Sequence, residues 1–414
     1  MIKELNFHSA QGTVEAPASK SYAHRALIAL SLSRGKGVIR HVDLSMDIMA
    51  TLKCLEDLGV DFFIREKDIL IDATSFGQRR DRVLKPEESG STLRFFIPIT
   101  LLFDEVYEFR CKTGLLKRPI SVYEELFHDL DIMMYKDSLE SLVVKGKLES
   151  GDFRMRGDVS SQFISGMLMV LPLLDGDSTL TVTGDFQSQG YVNMTLQVMQ
   201  DFGIVGHREG NTFFVAGNQK YTVRDYAVEG DYTQAAYFLA AGALAGDVSV
   251  TGLNLHSVQG DREIVDLLQK MGAAPEKIEN GYRVKRHPLK ALDIDISDIP
   301  DLAPILGVLL SLSEGTGRLL RGDRLRYKES DRIKSTVSLI NSLGGDAREE
   351  GNTIVIQGKP ELQGGRVNAQ SDHRVVMATA IAALRCQGPV IIDGYEAVNK
   401  SYPEFFKDLE GIAR

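Results

Sequence analysis

The sequence has few cysteines and no long apolar run, and each absence excludes a class of protein. Its three cysteines, Cys54, Cys111 and Cys386, are odd in number and widely spaced along 414 residues. Disulfide frameworks and zinc sites need paired or closely spaced cysteines, so we predict neither and expect a reducing, cytoplasmic setting. No apolar stretch approaches the roughly 20 residues that a membrane-spanning helix needs, and residues 1–20 lack the pattern of a secretory signal. We therefore expect no membrane partner.

Positive charge is also scarce. The chain carries 48 lysines and arginines against 57 aspartates and glutamates, a formal net charge of −9. Proteins that bind nucleic acid usually present a basic face, so we expect no nucleic-acid partner. The phosphate-binding motif G-x-x-x-x-G-K-[ST] is absent, which disfavours an ATP-dependent kinase, and neither G-x-S-x-G nor H-E-x-x-H occurs. Clusters of cations in an acidic chain instead indicate a pocket for a small anion.

What the sequence does contain is a repeat of 70 or 71 residues. Six segments start with a small or acidic polar residue and continue as an apolar helix; their first residues are Ser19, Ser89, Ser160, Asp231, Asp301 and Asp372. After each helix comes a strand, then an amphipathic second helix, and in most copies two further strands. A fixed period of this kind is typical of a repeat architecture. The pattern predicts an α/β fold of six similar units.

The ends of the chain suggest how the six units are grouped. The sixth unit stops before its closing strands, and the surplus residues at the N-terminus read as two short strands that can supply them. We therefore predict two similar lobes, residues 1–18 joined with 229–414 and residues 19–228. Helix N-termini at the rims of these lobes bind anions, so we expect the active site in the cleft between them.

Cations recur at these predicted helix starts. Lys20 and Arg25 lie in the first two turns of the first helix, where the helix dipole is already positive, so they predict an anionic ligand. Other units add charged or small polar residues at the same position: Gly90, Arg94, Lys117, Arg118, Ser160, Ser161, Gln162, Lys328, Arg332, His373, Arg374 and Lys400. Together they predict a ligand with more than one anionic group. Asp301 and Glu329 fit an acid/base pair, or equally a helix cap and a salt-bridge partner.

Several of these segments resemble one known family. "SKSYAHRAL", "SGSTLRF", "KRPI", "GDVSSQF", "IPDLAP", "RYKESDR", "SDHRVVM" and "NKSYPEFF" occur in the order and spacing of the 5-enolpyruvylshikimate-3-phosphate (EPSP) synthase family. The resemblance implies two lobes, each of three βαβαββ units, in the inside-out α/β barrel of the enolpyruvyl transferases. It also implies transfer of the enolpyruvyl group of phosphoenolpyruvate to the 5-hydroxyl of shikimate 3-phosphate, with release of phosphate, in chorismate and aromatic amino acid biosynthesis. A cytoplasmic, monomeric glyphosate target without metal or organic cofactor is then expected.

The resemblance also assigns roles to residues. It implies that Asp301 takes the proton of the 5-hydroxyl and Glu329 protonates the methylene carbon, with Lys20 assisting. The residues implied for shikimate 3-phosphate are Lys20, Ser21, Arg25, Ser160, Ser161, Gln162, Ser188, Asp301 and Lys328. Those implied for phosphoenolpyruvate are Lys20, Gly90, Arg118, Gln162, Arg332, His373, Arg374 and Lys400.

Two departures and two alternatives accompany the resemblance. Many family members have Asn-Ala-Gly-Thr at residues 88–91, where this chain has Glu-Ser-Gly-Ser, and asparagine at the position of His24. The sister UDP-N-acetylglucosamine enolpyruvyl transferase carries a reactive cysteine that would fall on Thr113 here. Cys111, two residues earlier, is predicted to be a buried, inert thiol. A non-catalytic anion-binding homologue is the other alternative.

Overall fold

The structure is a computed structural model that describes residues 1–78, 80–112 and 114–414. Thr113, the position of the sister family's reactive cysteine, lies outside the described residues, as does Arg79. None of the helices within those ranges is long and apolar enough to cross a membrane.

Helices and strands alternate along the whole chain. The α-helices are α1 Lys20–Leu32, α2 Met46–Asp57, α3 Gly90–Thr100, α4 Ser121–His128, α5 Ser161–Val170, α6 Gln189–Asp201, α7 Tyr232–Ala245, α8 Glu263–Lys270, α9 Ala303–Ser311, α10 Arg332–Ser342, α11 His373–Ala382 and α12 Phe405–Ile412. The strands are β1 Ile2–Leu5, β2 Ala10–Glu15, β3 Lys36–Arg40, β4 Asp61–Arg65, β5 Asp68–Asp72, β6 Val83–Glu87, β7 Glu105–Cys111, β8 Met133–Lys136, β9 Ser141–Gly146, β10 Asp152–Arg156, β11 Ser178–Thr183, β12 Gly206–Glu209, β13 Thr212–Val215, β14 Tyr226–Ala227, β15 Gly246–Thr251, β16 Glu276–Ile278, β17 Gly281–Lys285, β18 Asp293–Asp295, β19 Thr316–Leu320, β20 Asp346–Glu350, β21 Thr353–Gln357, β22 Gly365–Asn368 and β23 Val390–Asp393.

The sheets repeat one topology. Within the described ranges the strands form five sheets of four strands and one of three. In the sheet β6-β7-β9-β8, the leading strand β6 runs parallel to β7, and the hairpin β8-β9 adds antiparallel pairs on the other side. A parallel neighbour needs a crossover, which the helix before each central strand provides, whereas a hairpin needs only a short turn. The predicted order of helix, strand, helix, strand, strand is therefore observed.

The N-terminal strands are shared between two sheets, which corrects one expectation. β1 pairs antiparallel with β23 in the sixth repeat, but β2 pairs parallel with β15 in the fourth. The reason lies in β14, which precedes the fourth repeat and pairs with β3 in the first. The fourth sheet would then lack a leading strand, and β2 takes that place. Only one of the two strands closes the sixth repeat.

Contacts divide the chain into two compact units. One consists of Met1–Pro17 with Glu229–Arg414 and the other of Ala18–Val228. The predicted boundary grouped Ala18 with residues 229–414, whereas its contacts group it with the second unit. Each unit has its own apolar core, and among the residues that the structure describes none belongs to both cores. Every residue of α7, α9 and α11 is buried in the first unit. In the second, α1, α3 and α5 are buried along nearly their whole length.

Five of the six polar residues that start the repeats are helix N-caps. The side chains of Ser89, Ser160, Asp231 and Asp372 accept backbone N–H bonds at the starts of α3, α5, α7 and α11. Such bonds satisfy donors that the first helical turn leaves open. Ser19 caps α1 through its backbone position alone. Asp301 instead lies in the 3-10 turn Pro300–Leu302 before α9, and its carboxylate contacts cations.

Candidate active site

In the unit that contains Glu229–Arg414, three cations converge on Asp301. Its Oδ1 accepts from Lys328 Nζ at 3.2 Å and from Arg332 Nη1 at 2.6 Å, and its Oδ2 accepts from Arg374 Nη2 at 3.2 Å. The 3-10 turn before α9 presents the carboxylate, and the loop before α10 carries Lys328. Arg332 is the first residue of α10, and Arg374 is the second residue of α11. These four residues, all predicted for the site, lie together.

Arg332 is the centre of this group. Its side chain is 1% exposed and donates from Nη2 to Glu329 Oε2 at 2.7 Å and from Nε to Asp372 Oδ2 at 2.8 Å. Burial alone would lower the pKa of Arg332, but the carboxylates of Asp372, Glu329 and Asp301 raise it above its ordinary value. Burial likewise opposes the charge of Asp372, yet Arg332 holds the pKa of Asp372 below its usual value. Both groups are therefore fixed in their charged forms.

The remaining predicted residues of this unit surround the start of α11. The Asp372 carboxylate accepts the backbone N–H of Arg374 at 2.9 Å and lies 4.0 Å from His373 Nδ1. Lys400 Nζ donates to the backbone carbonyl of Ser371 at 3.1 Å. Two arginines, two lysines and a histidine thus gather at one helix N-terminus, where the backbone dipole also favours an anion.

The arrangement around Asp301 suits a proton acceptor that shares its neighbouring cations with a bound anion. Burial lowers the pKa of Lys328, although Asp301 opposes this effect. Three cations contact the Asp301 carboxylate and balance its charge. An anion bound by Arg332, Arg374 and Lys328 would compete with the Asp301 carboxylate for the same N–H groups.

Sequence reasoning missed a second layer behind these residues. Asp261, 3% exposed, accepts a hydrogen bond from the hydroxyl of Thr233 in the first turn of α7. Tyr237, one helical turn later on the same face, is also buried. Burial raises the pKa of Tyr237 to about 12, against the opposing influence of Arg374 and Arg332. The i, i+4 spacing of Thr233 and Tyr237 is visible in the sequence, but their partners are distant along the chain.

In the unit Ala18–Val228, the helix α1 presents Lys20 at its first position. Lys20 Nζ donates to Asp47 Oδ2 at 2.6 Å, and both side chains are less than one-fifth exposed. Asp47 lies in the first turn of α2, so two helix starts are joined by an ion pair. The anion predicted near Lys20 therefore meets a lysine that already has a carboxylate partner.

Arg25 lies deeper in the same unit than the sequence suggested. Its guanidinium is 2% exposed and donates to the Ser21 and Tyr191 carbonyls and to the hydroxyls of Thr195 and Ser165. Burial lowers the pKa of Arg25 to about 10. The residue joins α1 to α5 and α6, and any anion it holds must approach a side chain that is already hydrogen-bonded.

A third group surrounds Gly90, the first residue of α3. A Cβ built on Gly90 would lie 3.1 Å from Arg94 Nη1, 3.3 Å from Arg118 Nη1 and 3.6 Å from Gln162 Oε1. Gln162 accepts from Arg94 Nη1 at 2.6 Å and donates to Ser91 Oγ at 2.8 Å. The glycine thus leaves room at a helix N-terminus between two guanidinium groups. Arg94 is 7% exposed and belongs to this group, although it was not assigned to a substrate.

The serines predicted for the site lie at the starts of helices. Ser160 Oγ caps α5 by accepting from Gln162 N at 3.3 Å, and Ser161 is the buried first residue of that helix. Ser188 precedes α6 with a left-handed backbone, φ 54°, and is 1% exposed. A serine rarely adopts this conformation without a local requirement, and such strain collects at functional sites.

The described residues offer neither a metal centre nor an activated thiol. No group of three histidine, cysteine, aspartate or glutamate side chains among them is placed to hold a metal ion. Cys111 is buried, as predicted, and burial raises the pKa of its thiol to about 12, as it does for Cys386. Reactive cysteines have lowered pKa values, so these two are inert thiols.

Comparison with known proteins shows which family the sequence matches. The sequence profile described as EPSP synthase (3-phosphoshikimate 1-carboxyvinyltransferase) matches residues 7–409. A 3-phosphoshikimate 1-carboxyvinyltransferase from Clostridium perfringens is 39% identical over 406 residues, covering 97% of this chain and 96% of the relative. One from Clostridioides difficile is 40% identical over 415 residues, covering 96% and 94%.

Solved structures show the same fold. EPSP synthase from Acinetobacter baumannii superposes with a TM-score of 0.84 at 21% identity, covering 100% of this chain and 98% of that one. The enolpyruvyl transferase NikO from Streptomyces tendae gives 0.82 at 15% identity, covering 100% and 97%. The predicted α/β fold class of the enolpyruvyl transferases is confirmed.

Proposed function

The chain belongs to the EPSP synthase family, and we propose that it is a 3-phosphoshikimate 1-carboxyvinyltransferase. It transfers the enolpyruvyl group of phosphoenolpyruvate to the 5-hydroxyl of shikimate 3-phosphate and releases phosphate. The observation that carries this proposal for the site is Asp301, a carboxylate bound by Lys328, Arg332 and Arg374. A base held by the cations that would bind an anionic substrate suits a reaction whose two substrates both carry phosphate and carboxylate.

Each substrate has a set of candidate contacts. For phosphoenolpyruvate these are Lys20, Gly90, Arg118, Gln162, Arg332, His373, Arg374 and Lys400. For shikimate 3-phosphate they are Lys20, Ser21, Arg25, Ser160, Ser161, Gln162, Ser188, Asp301 and Lys328. The first set is supported by arginines at the starts of α10 and α11 and by the space at Gly90, and the second by the helix starts of α1, α5 and α6.

The chemistry is an addition followed by an elimination. Asp301 removes the proton of the 5-hydroxyl, whose oxygen bonds to the central carbon of phosphoenolpyruvate. Glu329, with Lys20 assisting, delivers a proton to the methylene carbon. The resulting tetrahedral intermediate then loses its phosphate by cleavage of the carbon–oxygen bond, and the departing phosphate takes the proton held by Asp301. Glu329 takes a proton back from the methyl group, which restores the double bond. Fixed cations stabilise the charge that develops on the phosphate and carboxylate groups.

Phosphate release tests the proposed reaction. We expect phosphate from phosphoenolpyruvate only when shikimate 3-phosphate is present, measured by a colorimetric phosphate assay with the carbon product followed by ³¹P NMR. Release with UDP-N-acetylglucosamine instead would indicate the sister activity. Binding of both substrates without any release would indicate a non-catalytic homologue.

The variant Asp301→Asn tests the proposed base. The amide keeps the size of the side chain but accepts no proton, so we expect kcat to fall about 10²- to 10⁴-fold, the usual value of a general base. Binding of phosphoenolpyruvate, followed by calorimetry, should persist because Arg332 and Arg374 remain. Asp295→Asn, a surface aspartate of the same unit paired with Arg321, is the matched control. Full activity of Asp301→Asn would show that another group takes the proton.

A further inference from the structure

The two places where the sequence departs from its family lie at the ends of one buried hydrogen-bond chain. His24 Nδ1 lies 2.7 Å from Thr51 Oγ1, which lies 2.7 Å from Thr92 Oγ1. Thr92 Oγ1 donates to Ser89 Oγ, also at 2.7 Å. The chain runs from α1 through α2 to the start of α3. His24 and Ser89 are among the residues at which the resemblance described above finds a departure from the common family pattern.

All four side chains are buried, so the loss of any one of these hydrogen bonds would cost free energy. Ser89 is 1% exposed, and the other three are 0% exposed. A buried polar group that loses its partner costs about 1–3 kcal/mol, because water cannot replace the bond. The four residues therefore fix the relative positions of three helix segments more firmly than apolar contact alone. The residue after Ser89 is Gly90, and His24 lies one helical turn from Lys20.

The directions of the bonds define the state of His24. Each threonine hydroxyl has one proton, and Thr92 gives its own to Ser89, so it accepts from Thr51. Thr51 has then given its proton away and must accept from His24. In this arrangement His24 carries a proton on Nδ1 and donates it to Thr51. Burial, and then the charges of Lys20 and Arg25, lower its pKa well below the ordinary value, in agreement with a neutral ring.

We propose that His24 is a positioning residue for phosphoenolpyruvate, acting through Thr51 and Thr92 on the turn at Ser89 and Gly90. This inference rests on the proposed function for its substrate. The chain of hydrogen bonds from His24 through Thr51 and Thr92 to Ser89 is here called the relay. The relay holds the N-terminus of α3, where Arg94, Arg118 and Gln162 converge, in a fixed position relative to α1. His24 and Ser89 act together, because replacing either residue breaks the hydrogen-bond chain that joins them.

The variant Thr51→Val interrupts the relay in its middle without altering Lys20 or Gly90. We expect KM for phosphoenolpyruvate to rise about tenfold, the usual effect of one buried hydrogen bond. We expect kcat and KM for shikimate 3-phosphate to change much less, by no more than about twofold, since Gly90 and Arg118 at this turn are assigned to phosphoenolpyruvate and only Gln162 is assigned to both substrates. Thr51→Ser, which keeps the hydroxyl, should restore the KM for phosphoenolpyruvate.

The matched control is Thr336→Val. Thr336 on α10 is equally buried, and its hydroxyl has no hydrogen-bond partner within the described part of the chain. The same substitution there should leave KM for phosphoenolpyruvate unchanged. If Thr51→Val behaves like this control, or raises the KM of both substrates equally, the positioning role is overturned.

The ends of the relay give a second measurement in case Thr51→Val does not fold. His24→Asn and Ser89→Ala introduce residues that many family members have. Because either change breaks the same chain, we expect the double variant to raise KM for phosphoenolpyruvate by much less than the product of the two single effects. Multiplicative effects would contradict the relay.

The tautomer of His24 provides a test that does not depend on activity. In ¹⁵N NMR of histidine-labelled protein, we expect a neutral ring protonated on Nδ1, and a loss of that signal in Thr51→Val. A charged ring, or a His24 signal that Thr51→Val leaves unchanged, would overturn the relay. Absence of phosphate release by the unaltered protein would overturn the proposed function, and the NMR result would still decide whether the relay exists.

Discussion

At the scale of single residues, the charged groups of the candidate site were easier to predict than the residues that hold them. Asp301, Lys328, Arg332 and Arg374 could be identified because each lies at or just before the start of a predicted helix, and the structure brings all four together. Asp261 could not, because nothing near it in the sequence repeats. Its importance comes from contacts with residues such as Thr233, which folding alone brings close.

Asp261 also predicts a dependence of stability on pH. Burial, and then the neighbouring charge of Asp301, raise the pKa of Asp261 to about 7, while Thr233 and Arg374 oppose the rise and Asp231 adds to it. An unfolded aspartate titrates near pH 4. Between these values the folded protein binds the extra proton. This stabilisation is therefore complete below about pH 4 and is lost as the pH rises through about 7.

We expect the variant Asp261→Asn to remove that dependence. The free energy of unfolding of the unaltered protein should fall relative to the variant by roughly 2–4 kcal/mol between pH 4 and pH 8, since each unit of pKa shift corresponds to about 1.4 kcal/mol. Urea denaturation at several pH values measures the difference. Asp266→Asn, an exposed aspartate on α8, serves as the control. Parallel curves for Asp261→Asn and the unaltered protein would show that Asp261 is ionised in the folded state.

At the scale of elements, periodicity predicted the helices and strands but not how the helices cross. α3 and α5 were both visible as apolar runs after Ser89 and Ser160. Their close contact depends on Gly166, where a built Cβ would lie 2.6 Å from the Arg94 carbonyl oxygen and 2.6 Å from Tyr123 Oη. In the sequence this glycine is one of 38. Its role appears only when the facing backbone is known.

Gly166→Ala is therefore predicted to force these helices apart. We expect a loss of about 1–3 kcal/mol in the free energy of unfolding, as for other overpacked cores. Gly411→Ala in α12 is the matched control, because a Cβ there meets nothing within 4 Å. It should stabilise its helix by up to about 1 kcal/mol, the difference in helix propensity. Thermal denaturation compares the two variants. If Gly166→Ala stabilises the protein as Gly411→Ala is expected to, the close crossing of α3 and α5 is contradicted.

At the scale of the whole molecule, the repeat period predicted how many units there are, but not how the chain ends are used. The use of β2 in the fourth sheet and of β14 in the first was not predictable, because neither strand carries a sequence signal for its partner. β14 has only the two residues Tyr226 and Ala227, yet it supplies the leading strand of the first sheet. The closure of the unit Ala18–Val228 therefore depends on its last few residues.

This closure predicts that residues 18–228 fold as an isolated fragment. The segment is continuous, and its apolar core contains no residue from the rest of the chain. We expect the fragment to unfold cooperatively in urea, followed by circular dichroism. A fragment of residues 18–220 lacks β14 and leaves one edge of β3 unpaired, with its backbone N–H and C=O groups exposed, so it should be less stable and more prone to aggregate. Equal stability of the two fragments would mean that β14 contributes nothing to closure, and a non-cooperative transition in the longer fragment would mean that its core needs the other unit.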